Sequence, residues 1–376
     1  MRYSANFNRE MTLYALHTNY GKMIEQINNY VRTSRLPIRF ALFTSATDAF
    51  KHFTDRTTGE YTIRIKHLAN NLCIGELSRR YGLKEKKHVN GQFLLFRPPN
   101  CEIYLILTDE PTVFFEQGLV RYIHRNYPLM ALPFYFSWEM ETMLNSLAKR
   151  FPGSRIMLTQ ISKKSRIMSG ESRKQKESDL TWTDLPYKDV FKQTRQNDAW
   201  VEKVYFDLIS EIATNTGVTS SKVLSGFISR DGIFKSELEF KSFYETIVQK
   251  AIEIFFNRKS QLSNRARTKE TRFESKPLFI EFEEPIFRNK EQNKRLIGVL
   301  KNLAHSARSV IHSNPYLHAT ITDYIDNSCY EIWVLSDYRV TVVPQTICTM
   351  SSLNRLCDHV SKEFQEGILK DSSEVT

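Results

Sequence analysis

Glycine is scarce in this chain, at 13 of 376 residues, about half of ordinary usage. Loops that cradle phosphate need glycine, because backbone N–H groups must approach the anion closely and adopt positive φ. Neither G-x-x-x-x-G-K-S/T nor G-x-G-x-x-G occurs, and H-E-x-x-H, G-x-S-x-G and the EF-hand calcium loop are also missing. These absences argue against a nucleotide-hydrolysing motor, a dinucleotide dehydrogenase and an α/β-hydrolase. The five cysteines, Cys73, Cys101, Cys329, Cys348 and Cys357, are odd in number and scattered, with no C-x-x-C pair. That is neither a disulfide framework nor a zinc or redox site. Long apolar runs are missing too. The first twenty residues hold no signal-like apolar core, and the most apolar stretch, Pro128 to Phe136, contains two prolines. A spanning helix needs about twenty apolar residues. The expectation is a reduced, cytoplasmic, soluble protein with no membrane partner.

What is present is length, aromatics and positive charge. A single core stops growing near roughly 250–300 residues, so 376 residues with 41% hydrophobic and 25% charged side chains predict a folded, multidomain chain. The formal net charge is +11. Three windows, Arg79 to Lys87, Ser162 to Lys176 and Arg258 to Lys276, hold 18 Lys and Arg against 4 Asp and Glu, so the remainder is slightly acidic. The second and third windows are too polar to repay ordering by burial and read as linkers. The resulting division is an N-terminal α+β domain over 1–160, a basic linker over 161–180, a middle helical and hairpin domain over 181–257, a second basic linker over 258–276, and a C-terminal α+β domain over 277–376. No internal repeat is evident.

Helical spacing marks Tyr20 to Tyr30, Gln117 to Ile123, Glu139 to Arg150, Lys241 to Phe256, Glu291 to Leu303 and Ser351 to Phe364, and also Ala199 to Ile212 through Val204, Leu208 and Ile212. Hairpins are expected at Phe93 to Leu107 and at Gly226 to Phe240, the latter turning at Arg230-Asp231-Gly232. Three alternating strands, Ala319 to Ile325, Cys329 to Leu335 and Tyr338 to Val343, predict a meander. The fold class is therefore α+β, with antiparallel hairpins and a meander packed by helices.

Four constellations bear on function. Ile74 to Leu83 reads as the compact helix of a helix-turn-helix-like element near 65–107, with Arg79 and Arg80 exposed and the following hairpin as its wing; an ordinary amphipathic helix ending at Gly82 accounts for the same letters. The basic linkers would track a phosphate backbone without sequence preference. Asp231, Glu239 and Lys241 resemble in type, though not in spacing, the carboxylates and lysine of a Mg²⁺-dependent nuclease, with Glu237 one pleat away; a charged exposed strand explains them equally. His312 and His318, with His305, Asp323 and Asp326 nearby, read as a turn with hydrogen-bonded histidines, because alternation puts His318 and Asp323 on opposite faces. The aromatic run from Tyr122 to Trp138 reads as core.

The function expected from these residues is nucleic-acid binding, DNA or RNA, with Arg79, Arg80, Lys84, Lys163, Lys164, Arg166, Arg265 and Arg267 on phosphates. No cofactor is expected, save Mg²⁺ if Asp231, Glu239 and Lys241 form a nuclease. A non-enzymatic subunit docking an acidic protein partner is the third alternative. No residue carries a biological context such as microbial defence or a mobile element.

Overall fold

The computed structural model describes residues 20–82, 87–166, 177–180, 186–214, 217–267, 276–313 and 316–371. It is α+β, with two antiparallel sheets, and it divides into two compact units. The first unit runs to Lys163 and takes in Glu177–Thr194 and Val201–Ile254; the second holds Lys164 to Arg166, Arg195–Trp200 and the chain from Phe255 onward. The expected domains over 1–160 and 181–257 thus contribute to one sheet. Two pairings join them: β1 (Ile38–Ser45) lies against β12 (Ile233–Glu237), with Phe40 opposite Phe234, and the strand over Ser154–Ser165 neighbours the one over Ala199–Thr214.

The first unit opens with helix α1 (Tyr20–Ser34), whose buried stripe is Ile24, Ile27 and Val31. After β1 and the short β2 (Arg56–Thr57), a meander follows: β3 (Tyr61–Ala69), β4 (Leu72–Tyr81), β5 (Lys87–Phe96) and β6 (Ile103–Thr108). Thr112–Phe114, a π-helical turn over Phe115–Val120, and Arg121–Arg125 form helix α2. Then come β7 (Met130–Ala131), α3 (Ser137–Arg150), β8 (Ser154–Ser165), β9 (Glu177–Leu180), α4 (Tyr187–Gln196), β10 (Ala199–Thr214), β11 (Gly217–Ser229) and β12. Helix α5 follows as Phe240–Phe243, a π turn over Tyr244–Val248, and Gln249–Leu262, and the first unit ends within it at Ile254. The strand order is β2-β3-β4-β5-β6-β1-β12-β11-β10-β8-β9, with β7 paired to β1.

Helices cover this sheet on opposite faces at its two halves. Phe43, Ile63, Phe93 and Ile106 point to one face and meet Phe114, Leu119 and Tyr122 of α2. Phe40, Phe206 and Phe234 point to the other and meet Phe240 and Phe243 of α5. Each buried ring contributes roughly 1.5–3 kcal/mol of transfer free energy.

Two sequence expectations fail here. The stretch expected as a helix from Ile74 is a strand: β4 occupies Leu72–Tyr81 in the middle of the meander, so the described residues of 65–107 form no helix-turn-helix-like element. Ala199 to Ile212 is likewise a strand, paired to β11 from Lys203 onward. Both hairpins are present, and Asp231 sits in the turn between β11 and β12.

The second unit contains β13 (Leu278–Glu281), α6 (Lys290–Lys301), β14 (Ser306–His312), β15 (Leu317–Asp323), β16 (Cys329–Ser336), β17 (Arg339–Pro344), α7 (Met350–Glu363) and β18 (Ile368–Asp371). Its strand order is β14-β15-β16-β17-β13-β18. Burial alternates along β15 and β17 and through Val334 of β16, so one face carries Ile321, Ile332 and Val342 into the core while the other does not. In both units the first strand lies beside the last strand of a four-stranded meander, β1 against β6 and β13 against β17, and a helix follows. The plan repeats where no sequence repeat is evident.

Candidate nucleic-acid interface

Strand parity decides which basic residues of the first unit meet solvent. Thr62, Arg64, Ser78, Arg80, Glu76, His88, Asn90 and Gln92 share the face opposite α2, in cross-strand rows Thr62–Ser78–Asn90, Arg64–Glu76–Gln92 and Arg80–His88. Arg64, Lys66, Arg80, His88 and Asn90 are exposed. Further along the same face Ile74, Leu94 and Phe96 are buried, with Tyr20 of α1 against Phe96. What remains open is a groove of about 480 Å³ floored by β3, β4 and β5 and walled by Glu110. Gln92 Nε2 donates to Glu76 at 2.9 Å, and Ser78 Oγ lies 2.7 Å from His88 Nε2. These bonds hold the polar floor in place between the two exposed guanidinium-bearing positions.

Arg79 points the other way. Its Nε donates to Glu60 at 2.7 Å, its Nη1 donates to the Gln117 carbonyl of α2, and its guanidinium lies over the Tyr61 and Tyr81 rings. Glu60 also pairs with Arg125. The expected exposure of Arg79 is therefore corrected: its donors are spent inside the unit. Lys84 lies outside the described residues.

Of the expected linker cations, Lys164, Arg166 and Arg265 have structural partners. Lys163 is buried on β8, and burial pushes its ammonium pKa down. Lys164 sits over the Trp200 ring at 5.5 Å. Arg166, with 4% of its side chain exposed, donates to the Ser361 carbonyl at 3.0 Å and to Asp198 at 3.2 Å. Arg265, 3% exposed, donates to the carbonyls of Lys276 and Pro277 and to Asp371 at 3.0 Å. Arg267 is half-buried, and its backbone N–H donates to Gln345. The third basic window is thus in part folded, since α5 extends to Leu262 and Arg265 ties the chain beyond it to β18.

Asp231, Glu239 and Lys241 do not share a strand face, because β12 ends at Glu237 and the chain turns through Leu238 at φ 72° into α5. Glu239 pairs with Arg32 at 2.7 Å, and Lys241 with Glu25 at 2.9 Å, which holds the Glu25 carboxyl below its usual range. Among the described residues, no group of three or more His, Cys, Asp or Glu side chains is placed to hold a metal ion. His318 and Asp323 do occupy opposite faces. Asp323 is buried and accepts from Ser352 Oγ at 2.7 Å, while His318 points to the other side.

No family model matches the chain, and no curated protein matches it significantly. Among the described residues, no helix is long and apolar enough to cross a membrane.

Proposed function

We propose that this chain binds nucleic acid, with phosphates lying over the open part of the β3–β4–β5 face. The observation that carries the reading is the pair Arg64 and Arg80, both exposed on one side of a rigid sheet floor, with Lys66 and His88 beside them. Four residues of strand rise and one strand spacing put the two arginine positions roughly 14 Å apart, far enough for separate phosphates. Guanidinium groups suit that role because their forked donors match phosphate oxygens. The chain's +11 net charge favours the same class of partner.

The test is fluorescence anisotropy with labelled single-stranded DNA, duplex DNA and RNA across a salt series, for the wild type and for Arg64→Glu/Arg80→Glu. Each phosphate contact on a duplex contributes a slope of about −0.9 in log K against log salt, so the double variant should bind more weakly and with a shallower slope by about one to two units. No binding at low salt, or binding indifferent to both reversals, overturns the proposal. Co-purification with an acidic protein would then favour the protein-docking alternative. Adding Mg²⁺ to the same samples tests cleavage, with Glu239→Ala as the control for a nuclease.

A further inference from the structure

The solvent side of the C-terminal sheet carries a different chemistry. One transverse row crosses all six strands: His312, His318, Trp333, Thr341, Phe279 and Lys370, each opposite the next. The His318 and Trp333 rings stack with centroids 3.5 Å apart and planes 14° apart. Tyr316, 40% exposed, lies beside them, 4.3 Å from His312 and 6.5 Å from Trp333 between ring centroids, with its plane 22° from that of Trp333. Glu331 accepts the Trp333 indole N–H at 3.0 Å, which fixes that ring by its edge, and its carboxylate lies 3.3 Å from His318 Nε2. At the far side of the row the Arg339 guanidinium sits 4.8 Å above the Phe279 ring.

A directly opposed cross-strand pair such as His318–Trp333 stabilises any sheet. That accounts for two rings. It does not account for Tyr316, which precedes β15 and stands over the same patch, or for Arg339 and Phe279, one and two strands further on. The hydrophobic core does not need them either, since Ile321, Ile332 and Val342 fill the opposite face.

We infer that this face is a stacking platform for single-stranded nucleic acid, in which unpaired bases lie on Tyr316 and Trp333 while Arg339 and Lys370 meet the backbone beyond them. Every base presents a π face, so such a platform tolerates sequence, and it excludes duplexes, whose bases are already stacked. The inference rests on the nucleic-acid reading for its class of ligand, but it uses a surface separate from the Arg64–Arg80 face.

The experiment compares labelled single-stranded RNA, single-stranded DNA and duplex DNA for four proteins: wild type, Trp333→Ala, Tyr316→Ala and Arg64→Glu/Arg80→Glu. Alanine at a stacking ring should weaken single-strand binding about 5- to 150-fold per base lost, leave duplex binding and the salt slope unchanged, and be largely rescued by Trp333→Phe. Thermal melts identify any variant that fails to fold, in which case Tyr316→Ala, at the more exposed position, decides. Full single-strand affinity in both folded ring variants, with binding lost in Arg64→Glu/Arg80→Glu, overturns the platform and leaves the N-terminal proposal standing. No binding of any nucleic acid by the wild type overturns both.

Discussion

The Arg79 guanidinium donates to the Glu60 carboxylate at 2.7 Å on the covered face of the N-terminal sheet, while Arg80, the next residue, stands in solvent on the other face. Adjacent residues of a strand always part this way. The two arginines should therefore respond oppositely to alanine. Arg79→Ala removes a buried donor set and should cost about 3 kcal/mol, the low end of the range for a broken buried pair, because Arg125 still neutralises Glu60. Arg80→Ala should stay within about 0.5 kcal/mol of the wild type. Urea unfolding of both variants checks this, and equal costs would refute the assignment of faces.

The contrast shows what was legible in the sequence. In β15 Leu317, Ala319 and Ile321 alternate with His318, Thr320 and Thr322, so period two stood out there, and the turns after it made the meander readable. In β10, Val204 and Leu208 are four apart, a spacing that fits both a helix and every second pleat of a strand. The deciding residue was Phe206 between them, which is buried on the same face. The basic windows misled for another reason. The acceptors that occupy Arg166 and Arg265 are the carbonyls of Ser361, Lys276 and Pro277, together with Asp198 and Asp371. Carbonyl acceptors leave no trace in side-chain composition, so buried, satisfied arginines look like solvated linker charge. The cross-strand row from His312 to Lys370 was invisible because its members come from six strands.

Two glycines should respond with opposite signs to alanine. A Cβ at Gly226 would lie 2.4 Å from Phe206 on the sheet and 2.6 Å from Phe243 of α5, both buried. Gly226→Ala should cost about 1–3 kcal/mol through overpacking. Gly298, within α6, has nothing within 4 Å of such a Cβ, so Gly298→Ala should stabilise by about 0.5–1 kcal/mol through helix propensity. Thermal unfolding of the pair measures both, and a stable Gly226→Ala would show that the aromatic layer yields.

Thiol reactivity should follow burial. Desolvation pushes the Cys73 and Cys357 thiols up to about 12, and both side chains are buried. A thiolate-specific reagent at pH 8 should leave these two unmodified in the folded protein and reach all five cysteines in denaturant. Mass spectrometry of the labelled peptides reads the result; native labelling of Cys357 would mean that α7 opens readily.

Asp109 gives the pH prediction. It is buried at the end of β6, Tyr30 donates to its Oδ2 at 2.6 Å, and its Oδ1 has no hydrogen-bond partner. Burial raises its pKa above the ordinary carboxylate value, and the Tyr30 hydrogen bond offsets this only in part. A carboxyl raised on folding binds its proton more tightly in the native state than in the unfolded chain. Its contribution is therefore fully present below the unfolded pKa, near 3.8, and is lost as pH rises through the folded value. Asp109→Asn keeps an oxygen for Tyr30 and abolishes the titration. The variant should match the wild type at the acid end and become progressively more stable than it as pH rises from about 4 toward neutrality, then hold a constant lead. Paired urea unfolding across that range isolates the effect, because every other titrating group is common to both proteins. A difference that does not change with pH would show that Asp109 ionises as freely in the fold as in the unfolded chain, and a lead that shrinks with pH would mean that the nearby Arg39 charge outweighs burial.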